Sequence, residues 1–264
     1  MDWRAALERQ SFQQDDEIDI VETLLALSAA DRPGRNFDAE RQHLLRLGEG
    51  LGEAPSAETL SGRIAGEFGY TGDAETYDDM RNADITDVIE RRRGLPVAIG
   101  LLYILAARAA GWEMTGLNFP GHFLIRLTTP DGPCIMDPFD GGRVMTMKDV
   151  GALLSRMSGG EAQLHPMYLG SAPVRQVIVR LQNNIKVRAL QASDTERALE
   201  ILKRISLFAP GESSVWLEWS GIEAGRGNMR RAIELLEEGA DHAPTETALQ
   251  TMADARRALG RRLN

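Results

Sequence analysis

The stretch 97–110, VAIGLLYILAARAA, is the longest apolar run of the chain; it is entered through Leu95-Pro96 and closed by Gly111. It falls short of the roughly 20 residues that a helix needs to cross a bilayer, and suits a helix buried in a protein core. Proline fits a first helical position, where the missing N–H costs no intrahelical bond, and glycine fits the exit. Beyond Gly111 the apolar period changes to two. The pattern predicts strands over 116–119, 122–127 and 134–139, with Thr129-Pro130-Asp131-Gly132 as a hairpin turn. A buried helix feeding an antiparallel sheet predicts an α+β fold.

Upstream, apolar residues fall at helical spacing, as in Ile20, Leu24 and Leu27, then Leu44, Leu47 and Leu51. Asp31-Arg32-Pro33-Gly34 and Gly52-Glu53-Ala54-Pro55-Ser56 punctuate that zone. A further helix carrying Ile85, Val88 and Ile89 is expected to end in Arg91-Arg92-Arg93-Gly94, cations in the last turn with glycine just beyond. The three arginines are expected to remain in solvent there. His43 and His242 lie in polar helical stretches, which predicts solvated side chains, and Asp15-Asp16-Glu17 reads as a solvated helix start.

Downstream of about residue 173 the sequence repeats. Arg197-Ala198-Leu199-Glu200-Ile201-Leu202 returns as Arg231-Ala232-Ile233-Glu234-Leu235-Leu236, and Ala209-Pro210 returns as Ala243-Pro244, both 34 residues on. That is the tetratricopeptide period. Two such units are expected over 173–264, with 247–263 as a capping helix. The first helices of the pairs would present Arg180, Asn183, Val187, Leu217 and Gly221 as candidate partner-binding residues.

A net charge of −9 argues against non-specific nucleic-acid or anionic-membrane binding. The basic tail Arg256-Arg257 and Arg261-Arg262 is too short to reverse that balance. The one cysteine, Cys134, excludes an internal disulfide and fits a reducing compartment. With no basic-then-apolar leader at Met1-Asp2-Trp3-Arg4, a cytoplasmic location is expected.

Chemistry concentrates in RRRGLPVAIGLLYILAARAAGW, NFPGHFLIR and CIMDPFDGG. These segments resemble the transglutaminase-like superfamily, a papain-like cysteine-protease type of core. The resemblance implies a nucleophilic cysteine at the start of the buried helix, then a histidine, then an aspartate. A helix N-terminus lowers a thiol's pKa, the histidine takes its proton, and the carboxylate fixes the imidazole tautomer. His122 matches the histidine and Asp137 the aspartate, while the helix match places Pro96 at the nucleophile position. Proline has neither thiol nor hydroxyl. Cys134 is a disfavoured substitute, because in a strand it and Asp137 should face opposite ways.

Asn82, Arg91-Arg92-Arg93-Gly94-Leu95-Pro96, Asn118-Phe119-Pro120-Gly121-His122-Phe123 and Asp137-Pro138-Phe139-Asp140-Gly141-Gly142 are similar to the SirB-type bacterial branch, which couples a variant transglutaminase-like core to C-terminal tetratricopeptide repeats. The resulting expectation is a helical N-terminal region plus transglutaminase-like domain over 1–172, with its core at about 77–170, and an all-α repeat segment over 173–264. No catalytic residue, cofactor or metal is expected, and His122 with Asp137 would be a vestigial pair. The expected role is a protein- or peptide-binding scaffold. The alternative is a thiol-dependent amidase, protease or acyltransferase using Cys134 with His122 and Asp137.

Overall fold

The computed structural model describes residues 1–263, the side chains of residues 262 and 263 excepted, so the side chain of Arg262 in the basic tail lies outside the described residues. The chain divides into two compact units, residues 1–3 with 13–184 and residues 4–12 with 185 onward. The division between them falls inside a helix, Val174–Gln191.

The helices are α1 (Trp3–Ser11), α2 (Ile20–Ala29), α3 (Asp38–Leu45), α4 (Ala57–Ser61), α5 (Ile85–Arg91), α6 (Pro96–Ala109), α7 (Met147–Ser158), α8 (Val174–Gln191), α9 (Thr195–Phe208), α10 (Ser213–Gly225), α11 (Met229–Asp241) and α12 (Glu246–Leu263). The strands are β1 (Thr71–Gly72), β2 (Arg93–Gly94), β3 (Met114–Leu117), β4 (Ile125–Thr129), β5 (Gly132–Asp137), β6 (Arg143–Met145) and β7 (Ser171–Ala172).

In the first unit α6 is the centre of the core: apart from Leu105, every residue from Pro96 to Ala107 is buried. Beside it runs a five-stranded antiparallel sheet in the order β6-β5-β4-β3-β7. Thr129 pairs with Gly132, so Pro130 and Asp131 alone make the hairpin turn. Two glycines let one aromatic ring seat between helix and sheet. A Cβ on Gly100 of α6 or on Gly116 of β3 would overlap the ring of Phe123. Leu117, Phe119, Leu124, Val150, Leu153 and Leu154 then close a cluster between the sheet and α7.

The strands depart from the expected bounds at both ends. Residues 118–124 form a loop instead of strand, with Gly121 in the left-handed region at φ +72°. At the far end Asp137 closes β5, because Pro138 has no N–H for the ladder and starts a short 3-10 turn, Pro138–Asp140.

The arginine run is also resolved differently from its solvated reading. α5 starts at Asp84, whose carboxylate caps the N–H groups of Thr86 and Asp87, and it ends at Arg92, itself left-handed at φ 58°. Arg91 donates to Asn82 Oδ1 at 2.9 Å and to Asp73 Oδ2 at 2.6 Å. Burial raises the Asp73 carboxyl, but donation from Thr76 Oγ1–H and N–H and from Arg91 outweighs it, leaving the group well below the carboxylate range. Arg92 donates to the hydroxyl of Tyr70 and to Nε2 of His43, which also meets that hydroxyl at 2.6 Å. His43 is therefore buried, not solvated. Arg93 alone of the three is exposed. Asp15, expected at a helix start of its own, instead caps α8 by accepting from Val174 N–H and Arg175 N–H, both at 2.8 Å.

In the second unit α9 to α12 follow one another through short turns. Ala198 and Ala232 are fully buried, and Gly239 of α11 has no Cβ because Trp216 of α10 lies against it. Trp216 packs with Leu235 and Met252, donates from its indole N–H to Pro210 O at 2.7 Å, and stacks near His242, which is exposed.

Candidate functional site

His122 is held by its loop, not by a strand. Gly121 turns the backbone, Phe123 anchors it between α6 and β3, and Arg180 of α8 fastens it from the other side. The Arg180 guanidinium donates to Phe119 O at 3.1 Å and to His122 O at 2.6 Å, with its carbon 5.5 Å above the Phe123 ring. Burial lowers the Arg180 pKa from its ordinary value.

The imidazole meets Asp137 at 2.9 Å, Nε2 to Oδ1. A carboxylate can only accept, so Nε2 carries the hydrogen and Nδ1 of the neutral ring carries a lone pair. Asp137 is itself fixed, because the same oxygen accepts from Phe139 N–H at 3.0 Å. The Phe139 ring stands edge-on to the imidazole with centroids 5.9 Å apart, and Tyr77 stands edge-on to Phe139 at 5.9 Å. Phe139 can lie there because Gly72 of β1 has no Cβ to overlap it. The side chains of His122 and Asp137 are only 10% and 8% exposed. Close to this pair, burial pushes the Tyr103 phenol above its ordinary pKa, and Asp137 adds to the effect.

His122 opens onto a cavity of about 190 Å³, lined also by Tyr77, Pro96, Val97, Gly121 and Arg180. Pro96 is the first residue of α6, whose N-terminal turn has no side-chain cap. The structure thus brings His122, Asp137 and the start of α6 together. It places Cys134 elsewhere. Cys134 pairs with Leu127 across the β4–β5 ladder and lines a different cleft of about 600 Å³, with Pro55, Ser56, Asp131, Val144 and Met147. Burial pushes its thiol pKa up, the opposite of what a nucleophile needs. His165 caps a 3-10 turn by accepting from Met167 N–H. Among the described residues no group of three or more His, Cys, Asp or Glu side chains is placed to hold a metal.

The five partner-binding candidates scatter. Arg180 lies at the histidine loop, where its Nη2 donates to two main-chain oxygens, and it lines the cavity of His122. Asn183 is partly buried, and its Oδ1 has no hydrogen-bond partner among the described residues. Val187 is 45% exposed, Leu217 is partly buried against the Trp216 cluster, and Gly221 is exposed with open space where a Cβ would be. Asn82, Arg91 and Phe139 lie inside the matched motifs, but the sequence reading assigns them no role at the site; Tyr77 and Asp73, which contact Phe139 and Arg91, lie outside those motifs and carry no sequence signal.

A family model described as the transglutaminase-like superfamily, core 2, matches residues 30–183. A UPF0162 protein of Xylella fastidiosa is 34% identical over 179 residues, so that the match spans 64% of this chain and 64% of the relative. One from Vibrio cholerae is 30% identical over 209 residues, 75% of this chain and 76% of the relative. Among solved structures, the crystal structure of menin, described as revealing its binding site for the Mixed Lineage Leukemia protein, aligns with a TM-score of 0.45 at 10% identity, covering 96% of this chain and 73% of menin. With its buried helix, antiparallel sheet and His122–Asp137 pair inside the matched span, the chain belongs to the transglutaminase-like superfamily.

Proposed function

We propose that this is a non-catalytic transglutaminase-like protein that recognises a protein or peptide, through the histidine cavity, the C-terminal helices, or both. The observation that carries the proposal is Pro96. A nucleophilic mechanism needs a thiol or hydroxyl beside the imidazole, and the residue that lines the cavity at the start of α6 is a proline. The rest of the arrangement persists, a carboxylate-fixed imidazole facing an open cavity, and such a cavity can bind what it cannot cleave.

The C-terminal helices are read as two tetratricopeptide repeats with a cap, and the chain as a member of the SirB-type branch. Supporting the repeat reading are the 34-residue spacing and the burial of Ala198 and Ala232, the small residues that let paired helices close. A cytoplasmic setting fits the one unpaired cysteine, and the UPF0162 relatives are bacterial. No helix among the described residues is long and apolar enough to cross a membrane.

Photo-crosslinkers placed at Tyr77 and at Val187 of the full chain, in a bacterial host, should trap a reproducible polypeptide that an excess of the parent chain without crosslinker displaces. Thiol-dependent amide or ester turnover that disappears in Cys134→Ala would overturn the proposal.

A further inference from the structure

Arg180 carries a charge that no carboxylate among the described residues neutralises. Its contacts are two main-chain oxygens, Phe119 O and His122 O, and the face of Phe123, and they engage Nη2 alone among its nitrogens. A guanidinium withdrawn from water without a counter-ion is costly, and one that lines a cavity marks where an anion would sit. Two further features of the same cavity bear on what that anion is. Val97, in the uncapped first turn of α6, adds the positive end of a helix. His122 adds the reverse polarity: with Nε2–H given to Asp137, Nδ1 is an acceptor with no partner among the described residues, on a side chain nine-tenths buried.

We propose that the cavity binds the C-terminal residue of a peptide chain, its carboxylate facing Arg180 and the first turn of α6 and its backbone N–H donating to His122 Nδ1. This rests on the recognition role proposed above and names the chemistry recognised. A carboxylate alone would satisfy the cation and leave Nδ1 unused. A terminal residue supplies an anion and an amide N–H two bonds apart, which matches donors and an acceptor lining one small cavity. A volume of about 190 Å³ is in keeping with a single terminal residue. Arg180 is suited to the task because its remaining guanidinium N–H groups can meet both carboxylate oxygens.

The test is a set of small probes titrated into the full chain, read by the NMR signals of the Val97 amide and the His122 ring. N-acetylglycine has both the carboxylate and the N–H and should shift both signals in a saturable way. N-acetylglycinamide lacks the charge and N-acetylsarcosine lacks the N–H; each should bind at least about tenfold more weakly. Arg180→Met should abolish N-acetylglycine binding. Because Arg180 also fastens the loop, His122→Phe is the independent variant, and it should erase the preference for N-acetylglycine over N-acetylsarcosine. Equal binding of acid and amide overturns the proposal, as does the absence of any shift. Tighter binding of the α-amide of N-acetylaspartate would make an acidic side chain the ligand and overturn the terminal assignment. Polypeptide capture at Tyr77 that survives failure of every probe would leave the recognition role standing and remove only this inference.

Discussion

Asp137 accepts two hydrogen bonds on one carboxylate oxygen, from Nε2–H of His122 at 2.9 Å and from the backbone N–H of Phe139 at 3.0 Å. The second bond begins the 3-10 turn that carries Phe139 against the imidazole, so the same atom orients the ring and builds the wall beside it. The pair therefore has a structural task that does not depend on catalysis.

Asp137→Ala should consequently behave as a core mutation. It strips a donor at His122 of its partner and uncaps the turn, at a cost of about 2–3 kcal/mol. Urea unfolding measures the loss. The His122 ring signals should broaden or shift as the imidazole gains freedom, whereas a ring signal unchanged from the parent protein would contradict this account.

Gly72→Ala tests the wall from behind. A Cβ at residue 72 overlaps the Phe139 ring, so the ring must swing away from His122 or the β1 backbone must retreat. A penalty of about 1–3 kcal/mol is expected from the overpacking. Gly62→Ala, at a position with open space around a Cβ, is the control and should change stability little. Equal stability of the two variants would show that Phe139 is not held as described.

Cys134 should be a slow thiol. It is half-buried on β5, burial raises its pKa, and it lines the cleft by Ser56 rather than the cavity of His122. Alkylation of the native chain at mildly alkaline pH should lag well behind that of the unfolded chain. Cys134→Ala should cost about 1 kcal/mol, the loss of a small half-buried hydrophobe. Fast native labelling would revive the thiol-dependent alternative.

The buried helix, the hairpin turn and the three segments that make the site were legible because each has a local cause: an uninterrupted apolar run, a Pro-Asp pair between alternating strands, and motifs that resemble a family. What stayed hidden depended on contacts far apart in sequence. Gly100 and Gly116 lie 16 residues apart and are both needed for Phe123, yet neither differs locally from any other glycine. Asp15 looks like the start of a nearby helix and instead caps one about 160 residues away. Arg91 and Arg92 look like a solvated helix end, and it takes Asp73, Asn82, Tyr70 and His43 to draw them inward. Arg180, expected on the first helix of a repeat, lies in the first part of α8, which belongs to the first unit.

His43 gives the fold an acid-sensitive point. Arginine has only donors, so Arg92 holds Nε2 of His43 as an acceptor, and a proton there would set an imidazolium N–H against a guanidinium. Burial first, then the charges of Arg92 and Arg46, lower its pKa from 6.5 to about 4. The unfolded chain therefore binds a proton more readily than the native one as pH falls below 6.5. The neutral-histidine contribution is complete above 6.5 and is lost progressively down to about pH 4. A pKa lowered from 6.5 to about 4 corresponds to roughly 3 kcal/mol at most, and solvent screening brings the expected drop in unfolding free energy across that window down to about 1–2 kcal/mol. His43→Gln, whose side-chain carbonyl can still accept from Arg92, should be less stable at neutral pH but show a flatter profile between pH 6.5 and about 4. Parallel profiles for the two proteins would mean that this ring is not the group that titrates.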